Sequence, residues 1–360
     1  MTQPQQRIAF IASNKNPLKF AADPAFIYRC QNPALALQAQ GHRVYLQHVS
    51  TLLSTFGAKL SQPTLDIAVF HRPCARTLRQ RWQLYQLFKK LRQRGTRLIA
   101  DFDDRVFATE FAADSPGVRN GYVSQQQTAK NFAQHQQLLH YFDAFSVSTQ
   151  PLQAALQQQV QVPVHCLPNA PHKSWYAQTP SQQPAKPFVL KYLPGTRSHD
   201  QDFALIAATV SDFLQRHQDA ELHITGVLER TRLPAALANS PQVIWQPKQP
   251  YEHYWQTVNA GHVHLAPLED TPFNRGKSAL KAIEAGFFNR PTIASPIPDM
   301  QRLVNAGVSF AHTPADWAEQ LEYHKLHNDP LPTHLRQQVL DCYSAEQQAH
   351  DLLQRVAVCT

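Results

Sequence analysis

Residues 267–300, PLEDTPFNRGKSALKAIEAGFFNRPTIASPIPDM, carry the pattern that decides the fold of this chain. An apolar run, Val263–Leu268, leads into the segment and has the length of a buried strand. A polar loop follows, then a stretch with helical spacing, Ser278–Phe287, and then a second apolar run, Thr292–Ser295. A strand, a helix and a strand in this order are typical of a βαβ unit, whose strands lie parallel in one sheet.

The same alternation of apolar runs and helix-like segments extends over most of the chain. In the first half it predicts strands at Arg7–Ala12, His42–Gln47, Leu65–Phe70, Arg97–Asp101 and Ala144–Ser148. In the second half it predicts strands at Phe188–Leu193, Glu221–Gly226 and Gln242–Trp245, with a helix at Phe203–Arg216. The sequence therefore predicts an α/β fold of two Rossmann-like, doubly wound domains that face each other across a cleft.

The two series are separated by residues 162–187, VPVHCLPNAPHKSWYAQTPSQQPAKP, where proline is dense and the periodicity ends. We predict an N-terminal domain over residues 1–165, a linker over 166–187 and a C-terminal domain over 188–330. The last segment, 331–360, reads as Gln-rich helices that we expect to return to the N-terminal domain. Ligands of such folds bind at the carboxyl ends of the strands.

Composition indicates an ordinary globular protein. The chain has 360 residues, of which 43% are hydrophobic and 17% are charged. Its net charge of +8 and pI near 9.3 predict attraction to an anionic partner. Nucleic acid, a nucleotide diphosphate and an anionic membrane all satisfy this condition. The charge is spread, however, and no nucleic-acid motif accompanies it, so nucleic acid is not predicted as a partner.

Cysteine usage and the N-terminus bear on the compartment. The five cysteines are scattered and form no CxxC or Cys/His spacing, so neither a disulfide framework nor a zinc site is predicted. The opening MTQPQQRIAF lacks the apolar core of a signal peptide, and no run approaches the roughly 18 apolar residues of a membrane span. We expect a cytoplasmic protein with at most peripheral membrane contact.

Lys277, Lys281 and Glu284 are spaced four and three residues apart, which predicts that they project from one face of the Ser278–Phe287 helix. Two ammonium groups at a helix N-terminus are unfavourable unless an anion is bound there, because that end already carries partial positive charge. A diphosphate would supply the anion, and the glutamate would accept hydrogen bonds from a ribose. The alternative is a solvated helix with an ordinary Lys and Glu pair.

Six stretches together resemble the family 4 retaining glycosyltransferases of GT-B fold, the bacterial surface-polysaccharide type in particular. FNRGKSALKAIEAGFFNRPTIAS, residues 273–295, is similar to their nucleotide-sugar segment, which ends in Glu-Ala-x-x-x-Gly-x-Pro and an Ile-Ala-Ser-like strand. YLPGTRSHDQDFALI, ELHITG and CLPNAP resemble the opening of their donor domain, its next strand and the start of their interdomain linker. YRCQNPALALQAQGHRVYL and LIADFDDRVF are similar to their acceptor domain.

The resemblance implies a nucleotide-sugar donor, UDP- or GDP-linked, bound by the second half of the chain without a further cofactor. The residues it implies at the donor are Gly195, Thr196, Arg197, Arg275, Lys277, Ser278, Lys281 and Glu284. The chain also departs from the family pattern, because Gly276 stands where the first of two spaced glutamates is usual. Asn274 or Glu269 would then contact the donor sugar instead.

For catalysis we expect His71, Asp103 and Asn274 to take part, with fixed positive charge rather than a metal stabilising the leaving diphosphate. The sequence Asp101-Phe102-Asp103-Asp104 also matches a DxD motif that binds divalent metal in another glycosyltransferase architecture. Contact with the acceptor or cleft and a loop-capping role are the alternatives. A satisfied structural histidine is the alternative for His71.

A basic aromatic segment, RTLRQRWQLYQLFKKLRQRGTR, spans residues 76–97. Trp82, Leu84, Leu87, Phe88 and Leu91 give it one approximately apolar face. This face either lies on an anionic bilayer or lipid-linked pyrophosphate, or packs on the sheet of the first domain with the basic side in water.

The resemblance implies a hexosyltransferase-like glycosyltransferase in lipopolysaccharide O-antigen or capsule polysaccharide biosynthesis. We expect it to act on a glycan or polyprenyl-linked acceptor at the cytoplasmic face of the inner membrane. Fold does not fix reaction, so a nucleotide-sugar epimerase on the same scaffold is an alternative. A non-catalytic transferase-like binding partner is a third alternative, which the missing first glutamate leaves open.

Overall fold

The computed structural model describes residues 4–13, 16–57, 64–182, 186–195, 197–328 and 332–357. These residues form two six-stranded sheets, and all strand pairs within each sheet are parallel. Helices cover both faces of the sheets, which is why central strands such as Ile67–His71 are buried along their whole length. The predicted α/β fold with two Rossmann-like domains is confirmed.

The first sheet has the strand order β2-β1-β3-β4-β5-β6. Its strands are β1 Arg7–Ala12, β2 Arg43–His48, β3 Ile67–His71, β4 Arg97–Phe102, β5 Ala144–Val147 and β6 Val164–Cys166. The order reverses direction between β1 and β3, so the carboxyl ends of these two strands border the crevice where ligands bind in such sheets.

The second sheet has the order β12-β11-β10-β7-β8-β9. Its strands are β7 Phe188–Tyr192, β8 Ala220–Thr225, β9 Val243–Gln246, β10 Val263–Ala266, β11 Thr292–Ala294 and β12 Val308–Phe310. Here the reversal falls between β7 and β10. The loops that leave these two strands therefore define the predicted ligand site of the second domain.

The α-helices, numbered in chain order, connect the strands. They are α1 Pro24–Phe26, α2 Asn32–Ala39, α3 Val49–Gly57, α4 Leu78–Gln93, α5 Pro116–Arg119, α6 Gln125–Gln136, α7 Gln150–Gln157, α8 Asp200–Arg216, α9 Ala235–Ala238, α10 Tyr251–Asn259, α11 Leu280–Phe287, α12 Pro298–Gln301, α13 Pro314–Leu326, α14 Leu335–Cys342 and α15 Ala345–Asp351. No helix of the described residues has the length and apolar character that crossing a membrane requires.

The basic segment shows how these helices attach to the sheets. Leu84, Leu87, Phe88 and Leu91 are at most 2% exposed and belong to the core of the first domain. Each contributes roughly 1.5–3 kcal/mol by burial. The Thr77 hydroxyl caps the helix by accepting a hydrogen bond from the backbone N–H of Gln80. The alternative that this face packs on the sheet of the first domain is therefore confirmed, except at Trp82, which is 64% exposed.

The two C-terminal helices attach to different domains. In α14, Val339 packs against the second domain, where a side chain at Gly286 would collide with it. In α15, Ala345 and Ala349 join the core of the first domain. The chain therefore passes between the domains twice, once after β6 and once between α14 and α15.

Two strands and one helix boundary differ from the sequence-based predictions. Strands β6 and β12 have three residues each and were not predicted, because each has a polar residue at its centre, whereas the equally short β11 is an apolar run. The helix expected from Ser278 begins at Leu280, and Lys277 has an extended backbone. The prediction that Lys277, Lys281 and Glu284 share one helical face is therefore wrong for Lys277.

Candidate functional site

The turn that leaves β7 lies at the reversal of the second sheet. Gly195 is exposed, and a Cβ added to it would meet open space. Gly226 supports the turn from β8: its φ is +137°, and a Cβ there would collide with the Pro194 carbonyl oxygen. Gly195 thus presents bare backbone at the predicted phosphate position. Thr196 lies outside the described residues, and Arg197 opens a short 3-10 helix, Arg197–His199.

The first turn of α8 follows directly and carries two buried carboxylates, Asp200 and Asp202. Asp202 Oδ2 lies 2.8 Å from His199 Nδ1, and its other oxygen accepts a hydrogen bond from the backbone N–H of Glu269. Burial lowers the pKa of His199, the Asp202 hydrogen bond opposes this, and Lys281 and Lys277 add to the lowering. His199 therefore belongs to the same electrostatic environment as the two lysines.

Lys281 lies at the centre of this environment on α11. Its Nζ is buried and has no hydrogen-bond partner within the described part of the chain. It lies over the Tyr192 ring, whose centre is 5.3 Å from Nζ. Burial lowers the pKa of Lys281, although Asp202 and Glu284 oppose that effect. A buried ammonium without a hydrogen-bonding anion is costly, so this position favours a bound anion.

Glu284 lies one turn further along α11 and is 3% exposed. Its oxygens accept hydrogen bonds from the hydroxyls of Tyr28, which belongs to the first domain, and of Tyr254, at 3.2 Å. Burial raises the pKa of Glu284 to about 7, against the lowering effect of both hydroxyls and of Lys281. Trp175 and Tyr251 pack beside Tyr28. The predicted ribose ligand is thus held by two tyrosines in this conformation.

The N-terminus of α11 already has an anion, which the sequence prediction did not provide for. The backbone N–H of Ala279 donates to Asp299 Oδ2 at 2.8 Å. Burial raises the pKa of Asp299, and the neighbouring Arg302 opposes this. The carboxylate comes from α12, twenty residues further along the chain. A phosphate at the end of this helix is therefore not needed to explain its electrostatics. Lys281 Nζ remains a buried ammonium without a hydrogen-bond partner among the described residues.

The other predicted donor residues are distributed along the loop between β10 and α11. Lys277 Nζ lies 2.7 Å from Asp104 Oδ1 of the first domain. Ser278 accepts a hydrogen bond from Asn169 at 3.0 Å. Arg275 is exposed and pairs with Asp270, which leaves it outside the buried part of the site. Asn274 is buried, and its Oδ1 has no hydrogen-bond partner in the part of the chain that is described.

Gly276, at the position of the usual first glutamate, is closely packed against the first domain. A Cβ there would lie 3.0 Å from Arg105 Nε and 3.1 Å from Leu152 Cδ2. Its carbonyl oxygen accepts a hydrogen bond from the Thr149 hydroxyl at 3.0 Å. A side chain here would require Arg105 and Leu152 to shift, so the departure from the family pattern coincides with a close contact between the domains.

The first domain contributes a paired cluster of charges at the carboxyl ends of β3 and β4. Asp101 is buried, accepts two hydrogen bonds from Arg29, at 3.0 and 2.6 Å, and lies 3.1 Å from His71 Nδ1. Arg72 donates to both Asp103 and Asp104. The three carboxylates of the DxD-like sequence are thus each paired with basic side chains, a geometry that favours a structural and cleft-forming role.

Within this cluster His71 has one engaged and one open nitrogen. Its Nε2 is buried, has no hydrogen-bond partner among the described residues, and lies 3.9 Å from Asp103 Oδ1. Burial alone would raise the pKa of Asp103, but Arg72 and His71 outweigh it, and the pKa is well below its usual value. Asp103 is therefore ionised at neutral pH, and its carboxylate faces the open nitrogen of His71.

Sequence reasoning missed the residues of the first domain that reach the donor site. Tyr28 contacts Glu284, and Asn120 Nδ2 donates to the Ser198 carbonyl oxygen at 2.9 Å. Arg119 pairs with Glu269, and Tyr122 donates to Asp200. None of these residues stands in a recognisable motif, and each partner is distant in sequence. The resemblance of residues 28–46 to an acceptor domain was the one indication that this stretch has a functional role, and it did not identify Tyr28 as a site residue.

Comparisons with known proteins give the fold a context. No protein-family model and no curated protein matches the sequence. Among solved structures, AviGT4, a glycosyltransferase involved in avilamycin A biosynthesis, has a TM-score of 0.61 at 13% identity, and the alignment covers 98% of both chains. A putative UDP-N-acetylglucosamine 2-epimerase from Listeria monocytogenes has a TM-score of 0.58 at 10% identity over 97% of this chain and 95% of the other.

A mutant of TarM from S. aureus, solved with fondaparinux, alpha-GlcNAc-glycerol and UDP, also has a TM-score of 0.58 at 10% identity. The alignment covers 84% of this chain but only 57% of TarM. Identities this low relate folds and not activities. With its two parallel Rossmann-like sheets, this chain has the GT-B fold of these glycosyltransferase and epimerase structures.

Proposed function

We propose that the chain is a retaining, metal-independent glycosyltransferase that moves a sugar from a UDP- or GDP-linked donor to a glycan or polyprenyl-linked acceptor. In this proposal it acts in bacterial surface polysaccharide biosynthesis, of the O-antigen or capsule type, at the cytoplasmic face of the inner membrane. The GT-B fold, shared with AviGT4 and TarM, supports the reaction class. The sequence resemblance supports the pathway.

The observation that carries the proposal is the buried Nζ of Lys281 without a hydrogen-bond partner in the described part of the chain. It lies over the Tyr192 ring at the end of β7, where the second sheet reverses direction, and one turn from Glu284. A nucleoside diphosphate would supply the missing anion to Lys281 and place its phosphates against bare backbone at Gly195. In the transition state the same fixed charge would stabilise the departing diphosphate.

Ribose binding to Glu284 requires a change at the domain interface. The Tyr28 hydroxyl occupies one carboxylate oxygen, so a ribose diol would replace it. The first domain would then supply His71 Nε2 and the ionised Asp103 to the acceptor side of the cleft. Donor and acceptor groups thus come from different domains, as transfer between two bound substrates requires.

Thermal unfolding in the presence of UDP, GDP, CMP or ADP tests the donor site. A nucleotide at about 100 times its Kd should stabilise the fold by roughly 2.7 kcal/mol. We expect one nucleotide family to raise Tm in the wild-type protein and in Lys130→Met, a control lysine exposed on α6. Lys281→Met should lose the shift. A full shift in Lys281→Met, or none in the folded wild-type protein, would contradict the assignment of the donor site.

Epimerisation of the sugar nucleotide is the second candidate, and the likeness to the Listeria monocytogenes structure over almost the whole chain favours it. An epimerase converts its substrate without an acceptor, whereas a transferase needs one. Incubation with UDP-N-acetylglucosamine in deuterated water, followed by proton NMR, distinguishes them, because epimerisation at C2 exchanges the C2 hydrogen. If the protein binds a nucleotide but turns over its sugar conjugate neither with nor without an acceptor, it is instead a non-catalytic partner.

A further inference from the structure

Helix α4 has a second apolar face that does not pack on the sheet. Leu78 is 84% exposed, Trp82 is 64% exposed and Tyr85 is 42% exposed. They are spaced four and three residues apart, so they form one stripe on the helix surface. Large side chains exposed singly are ordinary, but a contiguous stripe of Leu, Trp and Tyr marks an interaction surface.

Basic side chains border this stripe. Residues 76–97 contain eight Arg or Lys residues, counting the arginine at each end, and no Asp or Glu. Lys89 continues the stripe at the next turn, while Arg79, Arg81 and Lys90 flank it. Within the described residues these four cations form no ion pair, whereas Arg92 is neutralised by Asp143. The surface therefore combines exposed apolar groups with uncompensated positive charge.

The stripe begins beside the cleft. Strand β3 ends at His71 at the carboxyl edge of the first sheet, and only residues 72–77 separate it from Leu78 at the start of α4. The apolar end of the stripe therefore lies on the side of the domain that faces the second domain. Its basic end lies toward the amino edge of the sheet, where α4 leads into β4.

We propose that the stripe Leu78, Trp82 and Tyr85, with its bordering cations, docks the protein on an anionic lipid bilayer. Trp and Tyr are the side chains that partition to the bilayer interface, and Leu inserts below them. Lys and Arg at the border are attracted to anionic headgroups. Nucleic acid would use the cations but offers no apolar phase for Leu78, so a bilayer accounts for both properties of the surface.

Docking in this way turns the cleft of the first domain toward the membrane. If the proposed function holds, the acceptor is then a lipid-linked glycan presented from the bilayer, and His71 lies near the edge from which it enters. This orientation rests on the proposed function. The docking itself does not, because it needs neither a donor nor an acceptor.

Co-sedimentation with lipid vesicles tests the docking surface. We expect the protein to bind vesicles that contain phosphatidylglycerol, to release them as salt is raised, and to bind pure phosphatidylcholine weakly. Trp82→Ala should weaken binding about tenfold. The pair Lys89→Gln and Lys90→Gln should weaken it by about fivefold for each charge removed.

Matched controls lie on α13 of the second domain, where Tyr323 is 52% exposed and Leu326 is 79% exposed. Tyr323→Ala and Leu326→Ala should bind vesicles as the wild-type protein does. Equal binding by wild type and Trp82→Ala would overturn the proposal, as would tighter binding to duplex DNA than to anionic vesicles. The nucleotide-induced shift in Tm is measured on the same variants. A variant that loses vesicle binding but keeps this shift has lost the docking surface and not the donor site.

Discussion

Lys281 and Glu284 are neighbouring ionisable residues on α11 that burial affects in opposite directions. Burial favours the neutral form of each, lowering the pKa of the lysine and raising that of the glutamate to about 7. The carboxyl is therefore partly protonated at neutral pH and compensates the ammonium only in part. The buried ammonium of Lys281 is therefore destabilising without a ligand, and a bound anion would supply the missing negative charge.

Glu284 should make stability depend on pH. Its pKa is near 4.5 in the unfolded chain and about 7 in the folded protein, so the folded state holds the proton more tightly. The resulting stabilisation is complete below about pH 4.5 and is lost as pH rises through 7, at a cost of up to about 3 kcal/mol. Tm of Glu284→Gln, measured between pH 5 and 8, should fall less than that of the wild type. Parallel curves would show that the raised pKa of Glu284 makes no contribution to the pH dependence of stability.

Removing the unpaired charge of Lys281 should stabilise the protein without ligand. Lys281→Met keeps the length of the side chain and removes the buried ammonium, which we expect to raise the free energy of unfolding by about 1 kcal/mol at neutral pH. Urea unfolding without nucleotide measures the change, and Lys130→Met is the surface control. A marked loss of stability would mean that the ammonium has a strong partner within the folded chain.

At the scale of elements, the turn after β7 depends on two glycines with different requirements. Gly226 has a positive φ and lies against the backbone of Pro194, whereas Gly195 has open space around it. The first glycine is needed by the fold, and the second is available to a ligand. The same residue type thus has a structural role at one position and a proposed binding role at the other.

Alanine substitutions should separate these roles. Gly226→Ala should lower the free energy of unfolding by about 2 kcal/mol or more, because it combines an unfavourable φ with a collision at Pro194. Gly195→Ala should leave stability within about 1 kcal/mol and weaken nucleotide binding. Urea unfolding and nucleotide titration by calorimetry measure both effects. Unchanged nucleotide affinity in Gly195→Ala would remove this turn from the donor site.

The elements were predictable where local pattern determines them. Long buried strands such as Arg97–Phe102 show as apolar runs, and their alternation with helices predicted the fold. The start of α11 was not predictable, because Asp299 caps it from another element. Trp82 was grouped with Leu84, Leu87, Phe88 and Leu91 on one apolar face of α4, although it is 64% exposed, since an apolar residue near a helical stripe gives no local sign that it points to solvent.

At the scale of the whole molecule, the two domains are in contact across the cleft. Lys277 pairs with Asp104, Thr149 binds the Gly276 carbonyl oxygen, and Tyr28 binds Glu284. The first two pairs are separated by 173 and 127 residues and the third by 256, so no local sequence pattern predicts these contacts. The domains themselves were predictable from sequence, whereas the contacts that close the cleft were not.

These contacts should control the opening of the cleft. Lys277→Ala combined with Tyr28→Phe removes two polar contacts between the domains, worth about 1 kcal/mol each, and should increase the radius of gyration in small-angle scattering. Arg7→Ala is the control, because Arg7 pairs with Asp66 inside the first domain. An unchanged radius in the double variant would show that the closed arrangement is held by apolar packing, such as that of Phe132 on Phe273.

The double passage of the chain between the domains has a consequence for proteolysis. Arg336 of α14 donates to the Tyr176 and Gln178 carbonyl oxygens, and the backbone N–H of Ala345 donates to the Tyr176 hydroxyl. A protease that cut once just after Gln178 would leave fragments still joined by these bonds and by the packing of α15 on the first domain. The nicked protein should elute from a sizing column as one particle and separate only in denaturant. The C-terminal helix thus acts as a tether that keeps the two halves together.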